Sequence, residues 1–201
     1  MGYTTTNQMM KNRLVFATNN VYKTREVREI LAPQYEVINL LDLGCDVDIP
    51  ETGNTFAENA TLKSAFVVKN YQIDCFADDS GLSVEALNGE PGIFSARYSG
   101  QRGDVLNMNY LLEKMDGIVN RRAHFTTVIS LFINDRNHLF EGRVDGKIRT
   151  APIGENGFGY DPVFEPTGFD ITFAEMDTAT KNKISHRALA MKKLISFLKS
   201  T

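Results

Sequence analysis

Cysteine is scarce in this chain, and long runs of charge or hydrophobicity are missing. Its 201 residues hold two cysteines, Cys45 and Cys75, far apart and outside any CxxC pair, which argues against a structural zinc site or a redox motif. Cys75, inside IDCFA, reads as a buried thiol. Basic and acidic residues number 22 and 25, for a net charge of -3, and neither sign gathers into a long run. No field therefore points toward nucleic acid or a membrane surface, and any bound anion must be held locally. Nowhere do about 18 apolar residues follow one another, and the start, MGYTTTNQMMKN, has no secretory-type apolar segment; a cytoplasmic protein without a membrane span is expected. The phosphate-loop pattern GxxxxGK(S/T) is also absent.

What is present is ordinary globular material. A 42% hydrophobic content suffices for one core or for two small lobes sharing a cleft. Regular pattern begins at Arg13, so residues 1–12 are expected to be a flexible extension and 13–201 a single domain. RLVFAT reads as a strand, a helix follows from about Tyr22 with Val27, Ile30 and Leu31 on one face, and YEVINL reads as a second strand. Strand, helix and strand in that order favour parallel pairing and an α/β fold. Thr55 and Glu58 form a capping box for a second helix reaching KNY. IDCFA is a buried strand ending at Ala77, which puts Asp78 and Asp79 just past its C-terminal end, where open α/β sheets bind ligands. Asp104 is expected to cap a helix carrying Met108, Leu111, Leu112 and Met115. AHFTTVISLFIN and HLFEGRVDGK form a hairpin around DRN, and a last helix starts near Ser185.

Several segments can carry chemistry, each with an ordinary alternative. The turn ATNNVYK places Thr18, Asn19, Asn20 and Lys23 at a helix start, where free backbone N–H groups favour an anion; it can equally be a plain turn. Asp78 and Asp79 suit a metal site or an acidic turn. Glu51, on the loop DIPETGNTFAEN, can join Asp79 on a hard cation such as Mg²⁺, or stay solvated. Asn59 and Lys63 share a helix face as an i, i+4 pair. GFGYDP offers Phe158 and Tyr160 as an aromatic surface for a flat base with Asp161 nearby, or a tight turn over the core. KNKISHR places His186 and Arg187 at the start of the last helix.

Taken together and in order, ATNNVYK, PETGNTFAENATLKSA, ADDSGLSVEALNGEPGIFSARYSG, GFGYDPVF and KNKISHRALAMKKL resemble the inosine triphosphate pyrophosphatase family. The resemblance runs from Arg13 nearly to the C-terminus. It implies a two-lobed α/β fold with an extended mixed sheet flanked by helices, a nucleotide cleft between the lobes, and a homodimer. It implies hydrolysis of purine nucleoside triphosphates with deaminated bases (dITP, ITP, XTP) to the monophosphate and pyrophosphate, with Mg²⁺ as cofactor. Carried onto this chain, Thr18, Asn19, Asn20, Val21, Tyr22 and Lys23 form the phosphate loop, and Lys63, Ser80 and Arg97 add phosphate contacts. Glu51 and Asp79 match the metal ligands, and Asp79 also the general base. Phe158, Gly159, Tyr160 and Asp161 match the base-binding segment, which Lys181, His186 and Arg187 complete. Asn19, where many members have glycine, and Tyr22, where a small residue is common, depart from the pattern. Two alternatives stay open: a related septum-inhibitor-like pyrophosphatase acting on pyrimidine or modified nucleotides, and a nucleotide-binding module without catalysis.

Overall fold

The computed structural model describes residues 12–200. The flexible extension expected over residues 1–12 thus falls outside the described residues except for Asn12, which opens the first strand. Strand β1 (Asn12–Phe16), helix α1 (Val21–Leu31) and strand β2 (Tyr35–Asn39) follow in turn, and the two strands pair in parallel. Helix α2 (Phe56–Tyr71) precedes strand β3 (Cys75–Val84); helix α3 (Asp104–Lys114) precedes the long hairpin of β4 (Arg122–Ile133) and β5 (Arg136–Ile148). A short strand β6 (Phe164–Pro166) and helices α4 (Thr178–Ile184) and α5 (His186–Ser200) complete the chain. The strands form one sheet in the order β2-β1-β3-β4-β5-β6, parallel around β1 and antiparallel from β3 onward, with helices on its faces. This is the α/β architecture with an extended mixed sheet that the sequence suggests.

Local chemistry sets the boundaries, and in four places it departs from the sequence reading. Strand β3 does not end at Ala77 but continues to Val84, because each residue from Cys75 onward pairs with β4. That ladder overrides the turn preference of Asp-Asp-Ser-Gly, so the acidic pair lies mid-strand. The hairpin reverses at Asn134 and Asp135, with φ of 50° and 60°, one residue earlier than DRN; two successive left-handed residues are what a two-residue type I′ turn requires. Helix α3 is preceded by Gly103, and Asp104 is its first helical residue, its carboxylate turned away to accept from Gly159 N at 2.8 Å. Helix α4, unforeseen in KNKISHR, is capped by Asp177, which accepts from Thr180 N at 2.8 Å. At α2 the cap is as expected, with Thr55 Oγ1 accepting from Glu58 N at 3.1 Å, although Glu58 reaches back to Asn54 N instead of the cap residue.

The period-2 alternation of β3 divides the core. Phe76 packs with Phe16, Val27, Met191 and Leu194 from β1, α1 and α5, while Cys75 and Ala77 pack on the other face with Val67 of α2. Burying each large apolar side chain contributes roughly 1.5–3 kcal/mol. Gly142 on β5 allows α5 to lie flush on the sheet, since a Cβ there would collide with the His186 carbonyl and the Ala190 amide. Strand β1 leaves β3 after the Phe16–Phe76 pairing, so the next residues of β3 have no strand on that side. Among the described residues no helix is long and apolar enough to cross a membrane.

Candidate active site

The edge of β3 exposed by the departure of β1 opens into a cleft of about 410 Å³. Of the residues singled out from the sequence, Thr18, Asn19, Asn20, Lys23, Glu51, Lys63, Asp79, Ser80, Phe158, Gly159, Tyr160, Asp161, Lys181, His186 and Arg187 all line it. Val21, Tyr22 and Arg97 do not. Asp78 and Asp79 are neighbours in an extended strand, so their side chains leave the backbone on opposite faces.

Asp78 faces α1 and α5. One of its oxygens accepts from Lys23 Nζ at 3.0 Å, the other from Arg187 Nε at 3.2 Å and Ser80 Oγ at 2.8 Å. Burial alone would raise its carboxyl, but Lys23, Arg187 and Lys63 outweigh burial and hold it well below the usual carboxylate range. The network continues inward. Arg187 also donates to Ser80 Oγ at 3.2 Å and to Glu26, and Glu26 accepts from Lys181 Nζ at 2.7 Å. Lys181 in turn donates to Asp161 at 2.7 Å. Glu26 therefore ties α1 to Lys181 and Arg187 of the KNKISHR segment, a role that sequence reading does not assign. Its position one residue before Val27, beside the apolar stripe of α1, was the available signal, because a buried carboxylate requires a cationic partner.

Asp79 faces α2. Its Oδ2 accepts from Asn59 Nδ2 at 3.1 Å, Oδ1 accepts from Ser80 N at 3.0 Å, and the Lys63 ammonium stands 3.7 Å from Oδ1. Lys63 is closer to Glu51, at 2.5 Å, and Arg97 approaches Glu51 at 3.6 Å. Burial pushes Asp79 upward, Lys63 and Lys23 only partly offset it, and Glu51 adds to the rise. Glu51, by contrast, is lowered, because burial is outweighed by Lys63 together with Lys23 and Arg97. The two cleft carboxylates thus share one ammonium unequally.

The first turn of α1 keeps fewer free donors than its sequence suggests. Asn20 is the N-cap, and its Oδ1 accepts from both Tyr22 N and Lys23 N at 3.0 Å. The side chains of Thr18, Asn20 and Lys23, more than bare N–H groups, are therefore what this turn presents to the cleft. Asn19 donates to the Val47 carbonyl at 3.3 Å, linking this turn to the loop before Glu51.

At the other end, the GFGYDP turn is fixed by Asp161, which accepts from Phe158 N at 2.8 Å, and by Tyr160 Oη, which donates to the Ser95 carbonyl at 2.9 Å. Phe158 is half-buried, with Lys181 Nζ 5.2 Å and Arg187 Cζ 5.7 Å from its ring centre. His186 stacks on Phe125 at 4.6 Å, and its buried Nδ1 has no hydrogen-bond partner among the described residues. Burial, with Arg187 and Lys181 nearby, pulls this imidazole well below its ordinary value, which favours its uncharged form. A half-buried aromatic ring at the cleft, a buried imidazole and a row of cations leading to paired carboxylates suit a flat base joined to a polyanion.

A sequence profile of the Ham1 family matches residues 14–197. The chain belongs to the Ham1 family. It is 50% identical over 189 residues to the dITP/XTP pyrophosphatase of Flavobacterium psychrophilum, covering 94% of this chain and 100% of that one. With the dITP/XTP pyrophosphatase of Porphyromonas gingivalis it shares 49% identity over 92% and 97% of the two chains. The Ham1 protein of Staphylococcus aureus superposes with a TM-score of 0.84 at 44% identity, over 94% of this chain and 99% of that one. A HAM1 protein from Coxiella burnetii gives 0.85 at 36% identity, over 94% and 100%. The resemblance read from five ordered motifs is thereby borne out. In this Ham1 chain no group of three or more His, Cys, Asp or Glu side chains gathers for a metal among the described residues. Two carboxylates, Glu51 and Asp79, converge instead on the Lys63 cation. Such a pair fits Mg²⁺, which takes one or two protein carboxylates and completes its shell with water and phosphate.

Proposed function

We propose that this chain hydrolyses purine nucleoside triphosphates bearing deaminated bases, dITP, ITP and XTP, to the monophosphate and pyrophosphate, and so clears them from the nucleotide pool. The observation that carries this reading is a single cleft with an aromatic platform at one end and, at the other, a raised Asp79 beside a lysine-lined anion site. The names of the close relatives support the same substrate class.

In this reading Thr18, Asn20, Lys23, Lys63 and Ser80 bind the triphosphate, and Phe158 stacks the base. Lys23 is held by Asp78, so its charge is positioned before substrate arrives. Phosphoryl transfer depends mainly on such positioning and on neutralising charge. Asp79 accepts a proton from water as the water oxygen bonds to the α-phosphorus. The bond from the α-phosphorus to the bridging oxygen of the β-phosphate then breaks, and pyrophosphate leaves. Glu51 and Asp79 would hold Mg²⁺, which when bound supplies charge neutralisation and a more acidic water. A 6-keto base offers an acceptor to the Arg187 region, whereas adenine would bring an unpaired amino donor there. The same reading includes a homodimer and a cytoplasmic setting, the former open to sedimentation analysis.

The decisive experiment is product identification with Mg²⁺ and a panel of deoxyinosine, inosine, xanthosine and thymidine triphosphates. Pyrophosphate and monophosphate from the deaminated purines support the reading. Release of orthophosphate and diphosphate, or preference for the thymidine nucleotide, overturns it.

A further inference from the structure

Phe158 is a wall with two sides. It lines the main cleft, and it also lines a small adjoining hollow formed with Tyr22, Glu26, Met176 and Asn182. Tyr22 belongs only to the hollow, where its ring stacks on Phe158 with centres 5.6 Å apart and planes 19° apart. The tyrosine is 54% exposed, so core packing does not explain where it sits. Its backbone is nonetheless fixed. Tyr22 N is held by the Asn20 cap, and the next residue is Lys23, whose ammonium is bound to Asp78.

We infer that Tyr22 is a positioning residue for base recognition: it backs the Phe158 ring from the hollow, holding the opposite face in the plane against which the purine stacks. The inference rests on the proposed role of Phe158 as the base platform. Without Tyr22, one face of Phe158 would meet solvent in the hollow, and the ring would sample orientations that a flat ligand cannot use. A stacked aromatic pair prefers a limited set of offsets, and holding the ring in one of them before binding lowers the ordering cost of association. Because Tyr22 lies on the first turn of α1, the plane of the base platform is also tied to the turn that carries Lys23. A side chain placed in the phosphate loop by family resemblance thus acts here on the base. The contact is made by the ring and does not use the hydroxyl.

The test compares Tyr22→Ala, Tyr22→Phe and Phe158→Ala in the full chain with deoxyinosine triphosphate, and measures the inhibition constant of inorganic triphosphate, which has no base. Tyr22→Ala should raise KM by about two- to tenfold, the range of one aromatic pair, with kcat within about twofold and an unchanged melting temperature. Tyr22→Phe should restore the wild-type KM, and triphosphate inhibition should be the same in all three variants. An unchanged KM in Tyr22→Ala alongside a raised KM in Phe158→Ala overturns the backing role and leaves the base platform standing. An unchanged KM in Phe158→Ala removes the platform, and the inference with it. Weaker triphosphate inhibition in Tyr22→Ala, or failure of Tyr22→Phe to rescue, assigns Tyr22 to the phosphate loop and also overturns the inference.

Discussion

The two flanks of β3 each carry a buried aspartate, and the two aspartates behave in opposite ways. Asp78 and Asp79 are adjacent, and only 1% and 6% exposed, so burial penalises both. Yet Asp78 is held well below the ordinary carboxylate range, whereas Asp79 is raised from its ordinary value. The difference lies in their cations. Asp78 has Lys23 and Arg187 in direct contact, whereas Asp79 has only Lys63 at 3.7 Å, drawn away by Glu51 at 2.5 Å. The α5 flank is a closed network of ion pairs, while the α2 flank leaves a carboxylate without a cation in direct contact, as the proposed roles of Asp79 require. Environments that push two neighbouring acids apart are how one residue type performs two tasks.

The largest break in this comparison should come from Asp79→Asn, which keeps the size and the contact with Asn59 but removes the carboxylate proposed to accept the proton. Turnover of deoxyinosine triphosphate should fall by about 10²–10⁴-fold, with nucleotide binding retained in a filter or calorimetric assay. Asp78→Asn should act the other way round. It leaves Lys23 buried without its ion-pair partner and Arg187 with Glu26 alone, which costs about 3–5 kcal/mol, visible as a lower urea midpoint. If the two substitutions gave the same profile, stability lost in both or turnover lost in both with stability intact, the division between the flanks would fall.

Glu26→Gln probes how far the braced flank extends. The carboxylate holds Arg187 and Lys181, whose charges outweigh its burial and put it below its ordinary value of 4.5. A carboxylate lowered by folding stabilises above its unfolded value, and the contribution is lost as pH falls through the folded value. The variant should therefore be less stable than wild type by about 1.5–3 kcal/mol near pH 7, the range of hydrogen bonds to charged groups. The gap should narrow below about pH 4 as the wild-type carboxyl protonates. Urea unfolding at both pH values checks this; a gap that did not depend on pH would mean that Glu26 contributes by packing alone.

Much of this arrangement is legible in the chain, and the illegible parts share a cause. The first strand-helix-strand unit, the Thr55 cap and the long hairpin follow from local periodicity and capping chemistry, which act over a few residues. Local pattern ends β3 at Ala77, because Asp-Asp-Ser-Gly has every local mark of a turn, and only the register with β4, some 50 residues later, overrides it. Glu26 was invisible for the same reason: its partners Lys181 and Arg187 are 155 and 161 residues away. Asp104 looked like a helix cap, but its partner is Gly159, 55 residues on. Sequence shows which groups are available, and pairing between distant segments decides which of them are consumed in holding the cleft and which are left facing it.

The smallest effect is expected where the cleft meets solvent. Arg102, in the loop before α3, pairs with Asp48 at 2.8 Å across the mouth, both side chains more than 70% exposed. Exposed pairs are worth about 0–1 kcal/mol, so Arg102→Ala should leave the urea midpoint essentially unchanged. Arg102 also lines the cleft, so removing its charge should weaken attraction for a triphosphate, raising KM by under about threefold at low salt. At about 1 M salt, where screening acts over roughly 3 Å, the difference from wild type should vanish. A KM defect that persisted at high salt would make Arg102 a direct substrate ligand and would carry the braced, salt-insensitive character of the α5 flank out to the mouth of the cleft.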